Sequence, residues 1–213
     1  GIGNNLDGDD DIIYMTGINQ NHTGIEVEIA GQISEMFRLD LGAGIGNWVF
    51  TDDATGTYRD GDTDNSYSYA LKDLKVGDMP QASVMAALTV APLEGTKIQA
   101  MYRFYAAHFS DWDPTSREYE TEASADRDPV WKAPNYGILD INASYDVPVE
   151  FSGITTQVYL NVLNALDALY VQDAVDNSRY NAHPWRINNH TANAAEVYLG
   201  LPTSFNIGLR FNF

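Results

Sequence analysis

The chain has 213 residues, of which 44% are hydrophobic and 12% aromatic, and its formal net charge is −18. This acidity argues against binding the phosphate backbone of nucleic acid, and the absence of cysteine excludes a disulfide scaffold or a thiolate metal site. No apolar run approaches the roughly 18 residues of a membrane-spanning helix, but barrel strands need only be half apolar.

Eight segments alternate apolar and polar residues, which is the period of a β-strand. In chain order they cover residues 11–17, 24–33, 37–50, 81–91, 97–107, 136–146, 154–165 and 203–213, and the first has the weakest pattern. Most of them are long enough for a tilted strand that crosses a bilayer, about 9–11 residues, whereas globular strands average about 5–6. The polar positions include charges such as Glu26, Arg38 and Asp140, which would point into a wet lumen.

The connections between these segments alternate in length. Residues 34–36, 92–96 and 147–153 are short, whereas 51–80, 108–135 and 166–202 are long and polar. Short turns on one side and long loops on the other are typical of outer-membrane barrels, and a soluble β-sandwich has no reason to keep that order. We therefore predict an all-β, antiparallel transmembrane β-barrel arrangement, with its short turns in the periplasm and its long loops outside.

The last segment has one wholly apolar face. That face is formed by every second residue, namely Phe205, Ile207, Leu209, Phe211 and Phe213. A terminal Phe suits a strand that closes a membrane barrel with its last aromatic ring at the interface. An edge strand of a soluble sandwich is the alternative that this segment alone leaves open.

Seven stretches resemble, in the same order, motifs from the carboxy-terminal part of TonB-dependent receptors, most closely the group found in Bacteroidetes. They are His22–Glu28, Gly46–Trp48, Lys75–Gln81, Pro134–Asp140, Asn161–Asp167 with Tyr170 after it, Leu199–Thr203 and Gly208–Phe213. One departure is Ala165-Leu166, where the family usually has Leu-Phe.

The resemblance implies an outer-membrane active transporter whose barrel has twenty-two strands and encloses an amino-terminal plug domain. Residues 1–213 would then be the C-terminal segment of that barrel, about eight strands without the plug, forming wall and substrate-vestibule loops. The implied partners are the rest of the receptor, the TonB system through the plug, the barrel-assembly machinery, outer-membrane lipid and a small-molecule, glycan or peptide cargo. The closing strand, Phe205 to Phe213, would be the signal that the assembly machinery reads.

Two other functions stay open from the sequence. A complete eight-stranded outer-membrane barrel could serve as an adhesin, a structural protein or a small pore. A secreted soluble β-sandwich could bind a ligand such as a sugar. Neither reading is enzymatic, since no Ser-His-Asp order, phosphate loop or paired-carboxylate pocket stands out. We predict no catalytic residue, no cofactor and no nucleic-acid partner.

Aromatic residues in the long loops are the candidates for a substrate vestibule, namely Trp112, Trp131, Tyr180 and Trp185. Trp48, Tyr105 and Tyr170 lie at strand ends, so we assign them to the aromatic girdle at the membrane interface instead.

Metal sites are not indicated. The acidic runs Asp7–Asp11 and Asp60–Asp64 do not fit an EF-hand loop and read as solvated loops. The four histidines, His22, His108, His183 and His190, lack zinc-site spacing, and the loop histidines are expected at the surface. Glu26 and Asp140 share the polar parity and could meet in the lumen.

Overall fold

The computed structural model describes residues 14–60, 63–177 and 190–213, and in these ranges the protein is all-β with antiparallel sheets and no α-helix. Thirteen strands are present in the described ranges: β1 Tyr14–Thr16, β2 Gln20–Gln32, β3 Phe37–Phe50, β4 Ala54–Asp60, β5 Thr63–Tyr69, β6 Pro80–Val90, β7 Thr96–His108, β8 Glu118–Tyr119, β9 Tyr136–Phe151, β10 Ile154–Leu163, β11 Val171–Asp176, β12 Ala195–Leu199 and β13 Ser204–Asn212. Two short 3₁₀ turns, Pro114–Arg117 and Glu122–Ser124, flank β8. No helix in the described ranges is long and apolar enough to span a membrane.

Seven long strands form one antiparallel sheet in the order β13-β10-β9-β7-β6-β3-β2. Within the described ranges the sheet does not close on itself, so β2 and β13 are its two edges. The expected count of eight strands in this sheet is wrong, because β1 pairs with β4 instead. Its pattern is the weakest of the eight, and within its described part, residues 14–17, the strand covers Tyr14–Thr16.

The register of the sheet brings the apolar positions of all seven strands onto one face. One row runs through Val27, Ala43, Val84, Phe104 and Gly137, and another through Leu39, Leu88, Ala100, Ile141, Val162 and Phe205. A slip of one residue in any strand would turn its apolar side chains to the other face, so the alternation in the sequence specifies this pairing.

The short connections lie where the sequence predicts them, with one correction. β9 continues to Phe151, so the connection to β10 is only Ser152 and Gly153. Both residues have positive φ, 53° and 82°, as a two-residue hairpin turn requires. The predicted connection of 147–153 was therefore too long, because Pro148 is accommodated inside a strand.

The long connections contain strands of their own. β4 and β5 form a hairpin within 51–79 that β1 and β8 extend to a four-stranded sheet, and β11 pairs with β12 within 164–203. Thr, Tyr, Ser and Asp make up most of β4 and β5, so these strands lack the aliphatic alternation that marks the large sheet. We call the described parts of 51–79, 109–135 and 164–203 the loop layer.

Candidate functional site

The polar face of the seven-stranded sheet carries a row of hydrogen-bonding side chains that crosses five strands. Register places the members of this row side by side: Thr89, Gln99, Asn142, Asn161 and Asn206. The Gln99 amide donates to Thr89 Oγ1 at 3.1 Å, and the Asn161 amide donates to Asn206 Oδ1 at 2.8 Å. We call these five residues the amide row.

A groove of about 480 Å³ is lined by four members of the amide row, Thr89, Gln99, Asn142 and Asn161. Its lining adds two cations, Lys97 and Arg210, together with Ser144, Gln157 and Tyr159. The ring of Tyr159 lies over Gly208, where any Cβ would clash with it, so a glycine is required beneath the ring. The groove is therefore polar and carries positive charge, in a chain whose overall charge is strongly negative.

An ion pair crosses the polar face between β7 and β9. Arg103 donates to Asp140, whose side chain is almost fully buried and also accepts the Asn164 N–H at 2.9 Å. Three strands separate β9 from β2, and Glu26 lines the same groove as Arg103. Glu26 and Asp140 share the polar face as expected, but no hydrogen bond joins them among the described residues, because parity fixes the face of a residue and not its distance across the sheet.

Two of the motifs in the resemblance form one structural joint. The buried side chain of Gln81 accepts the Trp48 N–H at 3.1 Å and donates to the carbonyl oxygens of Trp48 and Val76. Gly77 lies against the backbone of Ser110, where a Cβ would overlap it. Residues 46–48 and 75–81 are thus held together, and this contact fixes the C-terminal end of the first long loop against β3.

Three further motifs form a second joint around Asn164. Its side-chain amide donates to the carbonyl oxygens of Ala168 and Leu201, and its Oδ1 accepts the Ala168 N–H at 2.9 Å. The Thr203 hydroxyl donates to the Asn164 carbonyl at 2.6 Å, and its N–H donates to Asp167. Asn164 and Asp167 both have positive φ, a conformation that Asn and Asp tolerate better than most residues. The stretches 134–140, 161–167 and 199–203 meet here.

The loop layer has its own hydrophobic core at the loop end of the sheet. Its buried members are Phe50, Ala54, Tyr69, Leu71, Leu74, Trp112 and Val130. Trp112 is 6% exposed, packs edge-on against Phe50 at 5.2 Å and donates its indole N–H to the Lys75 carbonyl. These contacts join the first long loop to the second.

A buried charge cluster joins the second long loop to the third. Arg117 is 1% exposed and donates to Asp126 Oδ1 at 2.8 Å, while its guanidinium lies over the Trp112 ring. His190 lies between two carboxylates, with Nε2 at 2.9 Å from Asp126 and Nδ1 at 2.7 Å from Asp176. Burial alone lowers the pKa of the His190 imidazole, but its hydrogen bonds to Asp126 and Asp176 outweigh burial and raise the pKa to about 9. His190 is therefore protonated at neutral pH.

A second charge cluster, nearer to solvent, closes the other side of the loop layer. Arg127 donates to both carboxylate oxygens of Asp53, at 3.0 and 2.7 Å, and also to Glu122. The hydrogen bonds from Arg127 hold the pKa of Asp53 at about 2, well below that of an ordinary aspartate. Asp53 also accepts the backbone N–H groups of Leu71 and Lys72. It therefore joins the two ends of the first long loop and, through Arg127, links this loop to the second long loop.

The predicted vestibule residues lie in different surroundings. Trp112 is enclosed in the core of the loop layer, as a packing residue would be. Trp131 is half-buried, and its carbonyl accepts hydrogen bonds from Ser110. Tyr180 and Trp185 lie outside the described residues. The vestibule role of these four residues stays a prediction.

The girdle assignment is wrong for Trp48 and Tyr105. Both share their parity with the polar face, where Trp48 stacks on His22 with ring centroids 5.3 Å apart and Tyr105 lies against Tyr136. Tyr170 stacks on Tyr136 at 4.6 Å. The position of Trp48 and Tyr105 at strand ends predicts the girdle, but their parity places them on the polar face of the sheet.

The other candidate residues are placed as follows. His190 and His108 are buried rather than at the surface, whereas His22 is exposed. His183 and the run Asp7–Asp11 lie outside the described residues. In the ranges that the structure describes, no cluster of three or more His, Asp or Glu side chains is arranged to hold a metal ion.

Sequence reasoning missed Arg117 and Asp126, and it placed their partner His190 at the surface. They are separated by up to 73 positions, and no motif links them. The only signal in the sequence was the scarcity of basic residues. The chain has 12 Lys and Arg residues against 30 Asp and Glu residues, so each basic side chain has many possible acidic partners.

No protein-family model matches this sequence, and a search of curated proteins found no match. The resemblance to TonB-dependent receptors therefore stays a prediction.

Proposed function

We propose that this chain forms part of the wall of a transmembrane β-barrel in the bacterial outer membrane, and that the protein is a TonB-dependent receptor. The observation that carries the membrane proposal is the continuous apolar face of the seven-stranded sheet. Many of its large side chains are exposed, and the exposed ones range from 37% for Leu160 to 78% for Phe151. Exposed apolar patches beyond a few hundred Å² mark a membrane or protein contact.

Lipid is the occupant that suits this face best. The strands are 9 to 16 residues long, enough for tilted strands that cross a hydrocarbon layer. Each of the inner five strands pairs with a neighbouring strand on both sides, which is the pairing that a hydrocarbon environment requires. A soluble sandwich would cover such a face with a second sheet, but no second sheet buries these side chains in the described ranges.

The two open edges favour a larger barrel over a complete small one. β2 and β13 each expose a long row of unpaired backbone groups, which in hydrocarbon would cost several kcal/mol per group. Further strands that pair with both edges would remove that cost. We therefore favour a wall segment of a many-stranded barrel over an eight-stranded adhesin or pore.

The receptor assignment rests on the motifs and on what they do in the fold. Five of the seven stretches meet in two joints, around Gln81 and around Asn164. These joints hold the three long loops in a packed layer at one end of the sheet. In the proposed receptor this layer contributes to the outer vestibule, substrate enters from outside, and energy comes from the TonB system through a plug domain.

Peptide mapping of the protein extracted from native outer membranes tests this proposal. We expect detergent to be required for extraction, and we expect peptides from additional strands and from a plug domain with an energy-coupling segment on the same polypeptide. Extraction without detergent would contradict the membrane assignment. A detergent-dependent protein without a plug would contradict the receptor assignment alone.

A further inference from the structure

We propose that an exposed apolar patch on the third long loop lies among the acyl chains of the outer leaflet. The patch consists of four leucines next to the ends of β10 and β13, namely Leu166, Leu169, Leu199 and Leu201. We call it the leucine patch. The inference rests on the proposed function, since it assumes that the apolar face of the sheet lies in lipid. It adds that one side of the loop layer contacts the membrane and does not line the vestibule.

Exposure is the first observation. The four leucine side chains are 57% to 81% exposed, which is comparable with the 51% to 76% of the apolar side chains at 205, 207, 209 and 211 on β13. No described element covers them. Large apolar side chains that are exposed next to one another mark contact with a membrane or with another protein.

Hydrogen bonds hold the leucine patch in a fixed place at the end of the sheet. The side-chain amide of Asn164 donates to the carbonyl oxygens of Ala168 and Leu201, and so joins the two stretches that carry the leucines. The Ala165 N–H donates to the Leu139 carbonyl at 2.7 Å, which places the first stretch against β9. The patch is therefore attached to the wall of the sheet and is not the tip of an open loop.

The direction of the backbone turns Leu199 and Leu201 toward the apolar side of the sheet. The Tyr170 ring occupies the position that a side chain of Gly200 would take, and it stacks on Tyr136 at 4.6 Å. The register of β9 places Tyr136 on the polar face. Gly200 therefore faces the polar side, and its two neighbours face the opposite side.

The same alternation continues into the last strand. Every odd-numbered position from 197 to 213 is apolar except Thr203, whose hydroxyl donates to the Asn164 carbonyl. Leu199 and Leu201 thus extend the apolar row of β13 beyond the end of that strand.

Strand length makes this extension necessary. β10 and β13 are the shortest strands of the large sheet, with 10 and 9 residues, whereas β6 has 11 and β9 has 16. Leu201 precedes Phe211 in the apolar row of β13. The ten residues from one to the other rise about 25 Å in an extended chain tilted by about 40°, which is the height of the apolar band of outer-membrane barrels. The leucine patch therefore completes the band where the two strands end early.

The scarcity of charge favours lipid over a partner protein. Charged residues make up 20% of the chain, but residues 163–170 and 197–203 contain one charged side chain, that of Asp167. Its carboxylate accepts the Thr203 N–H at 3.0 Å. A protein interface has a polar rim around its apolar centre, whereas a single hydrogen-bonded carboxylate suits the boundary between acyl chains and head groups.

Quenching of fluorescence by nitroxide-labelled lipids tests the inference on the whole protein in lipid vesicles. The chain has no cysteine, so a bimane label can be attached at one introduced cysteine. Leu169→Cys and Leu201→Cys report on the leucine patch, and Leu209→Cys on the apolar face of β13 is the positive control. Tyr198→Cys, on the opposite side of β12, is the matched negative control. These four side chains are at least 50% exposed, so the labels should leave the packing intact.

We expect the labels at 169 and 201 to lose most of their fluorescence to a nitroxide near the lipid head group. A nitroxide deep in the acyl chain should quench them less. The label at 209 should show the reverse order, because it lies nearer to the midplane. The label at 198 should lose little fluorescence to either lipid and should emit at the wavelength of bimane in water.

The controls separate failure of this inference from failure of the proposed function. If the label at 209 is quenched while those at 169 and 201 emit as in water, the loop lies above the membrane and this inference alone is wrong. If the labels at 169 and 201 are not quenched but emit as in apolar surroundings, another polypeptide covers the leucine patch, which also overturns the inference. If the label at 209 is not quenched either, the membrane proposal fails as well.

Discussion

At the scale of single residues, the parity of β13 assigns neighbouring side chains to opposite environments. Leu209 lies on the apolar face opposite Val158, and Arg210 lies on the polar face opposite Gln157. If the apolar face lies in lipid as proposed, with Leu209 near the midplane, Leu209→Arg should destabilise the folded protein by about 2–4 kcal/mol, because the new charge loses its hydration. Arg210→Leu should cost much less.

Reversible unfolding in denaturant, with the protein inserted in lipid vesicles, measures both values. Each variant serves as the control of the other, since both change one residue of the same strand. Equal losses of free energy of unfolding would show that the two faces are assigned wrongly.

His190 makes the loop layer sensitive to alkaline pH. The folded pKa of about 9 lies above the ordinary value of 6.5, so the stabilisation is complete below pH 6.5 and is lost as the pH rises through 9. The groups that face it are Asp126, Asp176 and Arg117, and only the two carboxylates favour its charged form. Above pH 9 those carboxylates lose their shared cation.

We expect tryptic cleavage after Arg127 to accelerate several-fold between pH 7 and pH 10 in the unchanged protein. His190→Gln should already be cleaved quickly at pH 7 and should gain little more at pH 10. The ratio of the two rates at each pH removes the pH response of trypsin itself. A ratio that stays constant between pH 7 and pH 10 would rule out this role for His190.

These residues show most clearly which contacts can be predicted from the sequence and which cannot. Alternation predicts the face of Leu209 and Arg210, because adjacent positions in a strand always point apart. It says nothing about Arg117 and His190, since their contacts depend on how two loops fold back on each other. Trp48 and Tyr105 show the same limit in another form, because proximity to a strand end had been given more weight than parity.

At the scale of elements, the long strands follow from the sequence and the loop layer does not. β3, β6 and β7 match the predicted ranges within one residue at each end, because each has an unbroken alternation of aliphatic and polar positions. The β4–β5 and β11–β12 hairpins were missed, since their strands are short and rich in polar residues. Their position depends on the joints at Gln81 and Asn164.

The Asn164 joint should contribute strongly to folding. Asn164→Ala removes a side chain that satisfies two carbonyl groups and one N–H, and it places Ala at a positive φ of 50°. Each buried polar group that is left unpaired costs roughly 1–3 kcal/mol, so we expect a loss of several kcal/mol.

The matched control is Asn161→Ala, three residues earlier in the chain and within β10. Its side-chain bond to Asn206 is exposed, and the loss should be below about 1 kcal/mol. Denaturant unfolding measures both variants. Similar losses would mean that the motif around Asn164 is not a structural joint.

At the scale of the whole molecule, the protein is a sheet with two chemically different faces and a folded layer of loops at one end. One face is apolar across seven strands, and the other carries the amide row, the Arg103–Asp140 pair and the His22–Trp48 stack. No other element in the described ranges covers the exposed side chains of the apolar face. How the resemblance, the open edges and the groove are interpreted depends on whether lipid or water surrounds each of these two faces.

Nitroxide scanning along β13 measures that environment directly, and the absence of cysteine allows single labels without prior substitution. Labels at positions 205 to 211 are compared, in lipid vesicles, for collision with oxygen and with a water-soluble nickel complex. We predict a period of two residues, with oxygen favoured at 205, 207, 209 and 211 and nickel favoured at 206, 208 and 210. Uniform access of the nickel complex to both sets of positions would show that the apolar face does not lie in lipid.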